Sequence, residues 1–348
     1  MTLSLILTNT YFVGTPDHAT VTIQDNDDLS APGTVATING PNGIAYHPAN
    51  SSLIISRSDT SGAEKNFKRI ATTGALSDWS TASGLGYTNP NGKQGEIKVG
   101  IVQTTANGWT QGDLYFGTGQ PDKIGKITAD GSSVNTDWAT LTNATQLAGD
   151  TNFPGGLYID QTGVFGGDLV VVTHRDTGGT LGTGGGVWRV SASTNATRVA
   201  QLNDAAGNGI YLEGVLTLPN DSCKYGPWAG KILSCAETLN LLLAIDVNGN
   251  STSFDLGLAL PEALAVVVSD RNLFCLNFIN LDRPHSTMLK VPKTLLTNFV
   301  GDIIVVEEQR PDLVVVHWDG VRFVTRHLSV SGASSLEPVA FAPIEATP

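Results

Sequence analysis

The chain has 348 residues, of which 41% are hydrophobic and only 15% charged, and it contains 39 glycines and 16 prolines. Short Val/Ile/Leu runs separated by Thr, Ser, Asn, Asp and Gly are typical of an all-β protein with many hairpins, and they argue against a helical bundle or a disordered chain. The net charge of −12, without a cluster of Lys and Arg, argues against a nucleic-acid partner.

No apolar run reaches the length of about 18 residues that a membrane-spanning helix needs, so no transmembrane segment is predicted. The start, MTLSLILTNTY, lacks a basic region and a small-residue cleavage site, and it predicts a strand rather than a signal peptide. We therefore expect a piece of a longer protein, and the acidic, lysine-poor composition favours a secreted or cell-surface location.

The first segment predicts two strands, at residues 3–8 and 19–24, followed by the acidic run Asp25-Asn26-Asp27-Asp28. The sequences YFVG at 11–14, ATVTI at 19–23 and DND at 25–27 resemble the closing strands of a Calx-β domain. That family is an extracellular or regulatory β-sandwich that often binds calcium. The resemblance implies that most calcium ligands would lie in strands that are not present here, and the alternative is a solvated acidic linker. The predicted division is a Calx-β-like remnant with linker at 1–30 and a second domain at 31–348.

The second domain is built on a repeated motif in which a polar residue or glycine and then a small residue or proline precede an aliphatic strand. These first strands are predicted at residues 42–48, 95–101, 155–160, 213–219, 262–268 and 337–343. Second strands are predicted at 52–56, 112–117, 167–173, 230–236, 272–277 and 301–306. Third strands are predicted at 67–70, 124–127, 186–190, 241–246, 288–291 and 313–318.

Repeated four-stranded units at this spacing predict a six-bladed β-propeller, whereas a pair of β-sandwiches would need repeats about twice as long. The repeat resembles the broad superfamily of NHL-repeat proteins and gluconolactonase-like sugar lactonases. The last first-type strand follows the other strands of its unit, which predicts closure by an innermost C-terminal strand. We expect residues 337–344 to pair inside the sheet formed by residues 301–328.

The starts of the first strands and the ends of the second strands should meet on one face of the propeller. Asn42, Glu213, Glu262 and Glu337 occupy corresponding starts, with Glu96 one position later. Neighbouring carboxylates repel one another unless a cation neutralises them or some remain protonated, and flexible oxygen ligands suit calcium. These four residues are therefore the predicted calcium ligands, and the alternative is a structural ring in which each Glu caps its own blade.

His174 follows an apolar strand and precedes Asp176 and a glycine-rich loop at 178–186, so it is the candidate general acid or base. Motifs of the HExxH, CxxC and GxSxG types are absent from the sequence. Two functions stay open: a propeller module that binds a protein or glycan partner or serves as a building block, and a calcium-dependent lactonase or esterase. Whether the chain is an enzyme is left open, and the sequence does not predict an oligomeric state.

Overall fold

The computed structural model describes residues 3–4, 18–19, 28–29, 33–57, 64–85, 96–142, 152–175, 184–279, 282–308 and 310–345. Four short strands come first: β1 (Leu3–Ser4), β2 (His18–Ala19), β3 (Asp28–Leu29) and β4 (Gly33–Ile38). β1 and β2 pair antiparallel, as the predicted hairpin requires. Apart from Ala19, the segments that resemble a Calx-β domain lie outside the described residues, so that resemblance stays a prediction.

The first four blades each follow the chain as an antiparallel meander from the axis outward. The first two blades comprise β5 (Pro41–His47), β6 (Ser52–Arg57), β7 (Phe67–Ile70), β8 (Leu76–Asp78), and β9 (Val99–Ile101), β10 (Leu114–Gly117), β11 (Lys123–Ile127), β12 (Val134–Thr140). The third and fourth comprise β13 (Phe153–Ile159), β14 (Leu169–His174), β15 (Gly186–Val190), β16 (Ala196–Gln201), and β17 (Leu212–Thr217), β18 (Ile232–Ala236), β19 (Leu241–Ile245), β20 (Ser251–Phe254).

The last two blades exchange strands along the chain. Their strands are β21 (Pro261–Val266), β22 (Asn272–Ile279), β23 (Asp282–Val291), β24 (Ile303–Glu307), β25 (Asp312–Trp318), β26 (Phe323–Val330) and β27 (Leu336–Ala342). The fifth blade has the order β21-β24-β25-β26-β3, and the sixth has the order β27-β22-β23-β4. The chain thus passes from the fifth blade to the sixth after β21, returns for β24 to β26, and passes again to the sixth for β27.

The six-bladed propeller and its innermost C-terminal strand are confirmed, but the predicted partner of that strand is wrong. β27 pairs with β22, and β24 pairs with β21. The second strands β22 and β24 both contain an unbroken apolar run, at residues 273–276 and 303–306, so the pattern alone does not show which inner strand each one joins. Strands that follow one another in the chain usually pair. β21 and β22 are joined by only five residues but lie in different blades.

Buried side chains form six apolar clusters among the described residues, each between two neighbouring blades. The second strands are buried along their whole length, as in β14 and β24, because blades cover both of their faces. The outermost strands β8 and β20 are exposed or half-buried.

The helical segments are single turns: α1 (Ser222–Tyr225) and the 3-10 turns Pro48–Asn50, Gly226–Trp228, Glu237–Leu239, Lys293–Leu295 and Thr297–Phe299. Within the described ranges, no helix has the length and apolar character needed to cross a bilayer.

The exchange of strands between the last two blades predicts a specific cross-link. Val339 of β27 lies directly opposite Cys275 of β22, and such cross-strand pairs have Cα separations of about 4.5–5.5 Å, within disulfide range. We therefore expect Val339→Cys to form a disulfide with Cys275 under mild oxidant, detected by peptide mass spectrometry. The variant Val339→Cys with Cys275→Ala is the control without a link. A link from residue 339 to a cysteine introduced at Val305 would instead support the pairing predicted from the sequence.

Candidate functional site: the axial ring and the channel beneath it

The first strands of the blades, β5, β9, β13, β17, β21 and β27, surround the axis, and each contacts the first strand of both neighbouring blades. Neighbouring inner strands approach one another closely. A Cβ atom on Gly155 would lie 2.0 Å from the carbonyl oxygen of Leu212, and one on Gly214 would lie 2.4 Å from that of Glu262. Only glycine fits at these two positions, which explains why the repeated motif places small residues there.

A β-bulge interrupts the register at or beside the start of several inner strands, between Pro41 and Gly43, Pro154 and Gly156, Glu213 and Val215, and Pro261 and Ala263. Bulges commonly redirect a side chain next to a site. The corresponding residues near the start of each inner strand form what we call the axial ring: Asn42, Lys98, Gly155, Glu213, Glu262 and Glu337. Gly155 has no side chain, and the side chains of the other five members are all buried.

All four residues predicted as calcium ligands therefore belong to the axial ring, and the sixth member, from the second blade, is a lysine. The Lys98 ammonium nitrogen lies 2.6 Å from Glu96 Oε2, 2.9 Å from Glu262 Oε1 and 3.3 Å from Glu213 Oε2. Its backbone carbonyl accepts a hydrogen bond from Gly117 N–H, which prolongs the pairing of β9 with β10 beyond Val99. The ring thus contains its own cation.

Sequence reasoning missed Lys98 because it started the first strand of the second unit at Gly95 and placed Glu96 one position later. The signal was present in the spacing. Lys98 directly precedes the strand Val99–Ile101, whereas Glu96 lies three residues before that strand. Glu96 is still part of the cluster, since its carboxylate makes the shortest of the three contacts to Lys98.

Electrostatics hold the lysine charged. Burial alone would lower the pKa of Lys98, but the charges of Glu213, Glu262, Glu96 and Glu337 outweigh burial and hold the pKa well above its usual value. One ammonium cannot neutralise four carboxylates. Burial, opposed by Lys98 and supported by neighbouring carboxylates, accordingly raises the pKa values of Glu213 and Glu262.

The excess of negative charge extends to the rim of the ring. Burial and the charges of Glu262 and Glu308 raise the pKa of half-buried Glu237, at the end of the fourth blade's second strand, to about 8. Burial, with the charges of Glu213 and Glu96, also raises the pKa of Tyr211. The face predicted from the sequence to collect acids does collect them, and near neutral pH some of them hold protons.

The residues can be tested for their fit to calcium. Carboxylate oxygens of Glu96, Glu213 and Glu262 all lie within 4.8 Å of one another, and carboxylate oxygens are the ligands that calcium prefers. However, Lys98 contacts all three, and an ammonium group donates hydrogen bonds but offers no lone pair to a metal. With Lys98 in place the set does not fit a calcium ion. Calcium binding at Asn42, Glu213, Glu262 and Glu337 stays a prediction, and it requires Lys98 to move away.

His174 lies beside the ring rather than on a free loop. Its side chain is buried, its ring stacks on Tyr211 with centroids 4.5 Å apart, and its Nδ1 contacts the backbone carbonyl of Arg175. A Cβ on Gly155 would lie 2.8 Å from His174 Cδ2, so this imidazole fills the place that a side chain at Gly155 would take. Asp176, its proposed partner, lies outside the described residues, and the catalytic role of His174 stays a prediction.

Beneath the axial ring, the inner strands enclose a channel of about 490 Å³. Lys98 and Glu262 line the end nearest the ring, while Gln103, Gln161 and Arg271 line the opposite end. Most of the wall between them is aliphatic or aromatic. A central channel lined by the first strands is what the propeller prediction implies, but its largely apolar wall was not predicted from the sequence.

The fold resembles that of several solved structures of low sequence identity. A calcium-binding protein, regucalcin, from Agrobacterium tumefaciens matches with a TM-score of 0.53 and 11% identity over 90% of this chain and 82% of that one. A gluconolactonase from Xanthomonas campestris matches with a TM-score of 0.52 and 12% identity, covering 90% and 84%. A chain of the nidogen/laminin complex matches with a TM-score of 0.51 and 10% identity, covering 87% and 85%.

No family model matches the chain, and no curated protein matches it. The structural likenesses show the propeller fold alone. That fold agrees with the six-bladed propeller predicted from the sequence.

The raised pKa of Glu237 predicts a pH dependence of stability. Between about pH 4.5 and about pH 8, the folded chain holds a proton on Glu237 that the unfolded chain has lost. The free energy of unfolding therefore falls as the pH rises through this window. Glu237→Gln removes the effect, so we expect it to stabilise the fold by at least about 1 kcal/mol near pH 8 and to change little near pH 5.

Urea unfolding at both pH values measures this difference. Glu345→Gln is the matched control, because the Glu345 side chain is 68% exposed and pairs with Lys293 at 3.6 Å on the surface. The control should follow the wild-type pH dependence. If Glu237→Gln also follows it, Glu237 does not sit in the electrostatic environment described above.

Proposed function

We propose that the chain is a non-enzymatic β-propeller module of a larger secreted or cell-surface protein, and that it acts by binding a protein partner. One observation carries the proposal: the ammonium group of Lys98 lies among the carboxylates of Glu96, Glu213 and Glu262, where a catalytic metal would otherwise be expected. The module thus supplies a cation to its axis from its own side chain and needs no metal ion to hold the blades together.

One structural likeness supports a protein partner. A propeller of the same fold occurs in a structure described as a nidogen/laminin complex, which is an assembly of two proteins. The location and the partner are both part of the proposal. A glycan partner is the alternative, and we favour a protein because that likeness is to a protein complex.

A calcium-dependent lactonase or esterase is the second candidate. It is favoured by the three carboxylates whose oxygens lie within 4.8 Å of one another, and by the likeness to proteins described as calcium-binding regucalcin and as a gluconolactonase. Asn42, Glu213, Glu262 and Glu337 stay its proposed ligands and His174 its proposed acid or base. This function requires calcium to displace Lys98, which the binding-module proposal does not.

Thermal unfolding in calcium and in chelator distinguishes the two functions. We expect the melting temperature of the wild-type chain to be the same in both. Lys98→Ala should lose about 3 kcal/mol or more in chelator, because it leaves buried carboxylates without their cation. The same variant should recover stability in calcium, by about 2.7 kcal/mol at a hundred times the dissociation constant.

Lys68→Ala is the matched control. Lys68 pairs with Asp78 on an outer strand, where the Asp78 side chain is 57% exposed, so its loss should cost less than about 1 kcal/mol and should not respond to calcium. Calcium stabilisation of the wild-type chain, together with calcium-dependent hydrolysis of a lactone, would overturn the module proposal in favour of the enzyme.

A further inference from the structure

We propose that the axial channel binds an apolar primary amine, whose ammonium group reaches Glu262 at the closed end. The channel volume of about 490 Å³ lies in the range that holds small molecules. This inference goes beyond the binding-module function, because it needs neither a protein partner nor a metal. It assigns a ligand class to a cavity that the axial ring closes at one end.

The channel wall supplies the apolar part of the site. Half-buried side chains that line it include Val99, Tyr158, Leu264, Val266, Val339 and Phe341. A ligand with an apolar body would remove this surface from water, with a gain of about 25 cal/mol for each Å² of apolar area.

The closed end supplies the charge. Glu262 lines the channel there, and its side chain is 5% exposed. Its Oε1 pairs with Lys98, whereas its Oε2 is buried and accepts no hydrogen bond within the described part of the chain. A buried carboxylate oxygen without a donor is costly. A ligand ammonium at this point would donate the missing hydrogen bond.

The charge balance favours a cation over an anion. Lys98 is surrounded by the charges of Glu213, Glu262, Glu96 and Glu337, so the closed end carries more carboxylates than it has ammonium groups. A second ammonium would lower this repulsion. A ligand carboxylate would add to it, because it would meet the same buried acids.

The open end offers the rival arrangement. Arg271 lies at that mouth, with its guanidinium 5.6 Å from the centre of the Tyr46 ring and 3.8 Å from the Asp270 carboxylate. A carboxylate ligand could pair with it. However, the Arg271 side chain is 35% exposed, and exposed ion pairs contribute less than buried ones because water and salt screen them.

Isothermal titration calorimetry with three matched probes tests the proposal: phenylpropylamine, phenylpropanol and phenylpropanoate. They share one apolar body and differ in the terminal group. We expect the amine to bind one per chain, at least about tenfold more tightly than the alcohol, because a hydrogen bond to a charged group is worth more than a neutral one. The acid should bind most weakly.

Two variants locate the site. Glu262→Gln should weaken amine binding at least about tenfold and leave alcohol binding nearly unchanged. Ala265→Trp places a large side chain in the channel and should abolish the binding of both ligands. Exposed Glu345→Gln is the control that leaves all three affinities unchanged. The comparison of amine with alcohol needs only the wild-type chain, so it decides the charge preference even if Glu262→Gln does not fold.

Equal affinities for amine and alcohol, or the absence of saturable amine binding, would overturn the proposal. Tighter binding of phenylpropanoate that is lost in Arg271→Gln would overturn it in favour of an anion site at the open mouth. The calcium test and the amine test can fail separately. If the melting temperature does not depend on calcium and the chain binds no amine, the amine proposal is wrong but the binding-module function is not contradicted.

Discussion

The ion cluster around Lys98 is the interaction on which the centre of this propeller depends. Six inner strands converge on one axis so closely that backbone carbonyls contact glycines of the neighbouring blade at Gly155 and Gly214. The side chains that start these strands are forced into a small, poorly solvated space. Three of them are glutamates, from the fourth, fifth and sixth blades. Without a cation this arrangement would combine desolvation with repulsion, and Lys98 from the second blade supplies that cation.

A covalently attached cation has different consequences from a bound ion. It cannot be removed by dilution or by a chelator, so one positive charge stays at the axis whatever the surrounding calcium concentration. It also carries a single charge among several acids, so burial and the repulsion between carboxylates raise the pKa values of Glu213, Glu262 and Glu237. The closed end of the channel therefore keeps an affinity for a further positive group, and the same imbalance underlies both the proposed pH response and the proposed ligand.

Much of this molecule was accessible from the sequence. The aliphatic runs bounded by glycine, proline and Asx residues predicted the strands and the six blades, and the glutamates at the strand starts predicted an acidic centre. Lys98 was missed because its unit is the weakest copy of the motif, and the lysine lies two residues beyond Glu96, the residue assigned to the acidic centre from the sequence. The exchange of strands between the fifth and sixth blades was also missed, because β22 and β24 are interchangeable in pattern. Only the three-dimensional neighbours of β21 and β27 distinguish them.

The occupant of the axial ring in the presence of calcium tests the central claim most directly. Anomalous diffraction data from a crystal grown in millimolar calcium would show which cation lies between Glu96, Glu213 and Glu262. We expect the Lys98 ammonium group at that position and no anomalous peak. A calcium peak among these carboxylates, with the Lys98 side chain turned away, would contradict the account and support the metal-dependent enzyme.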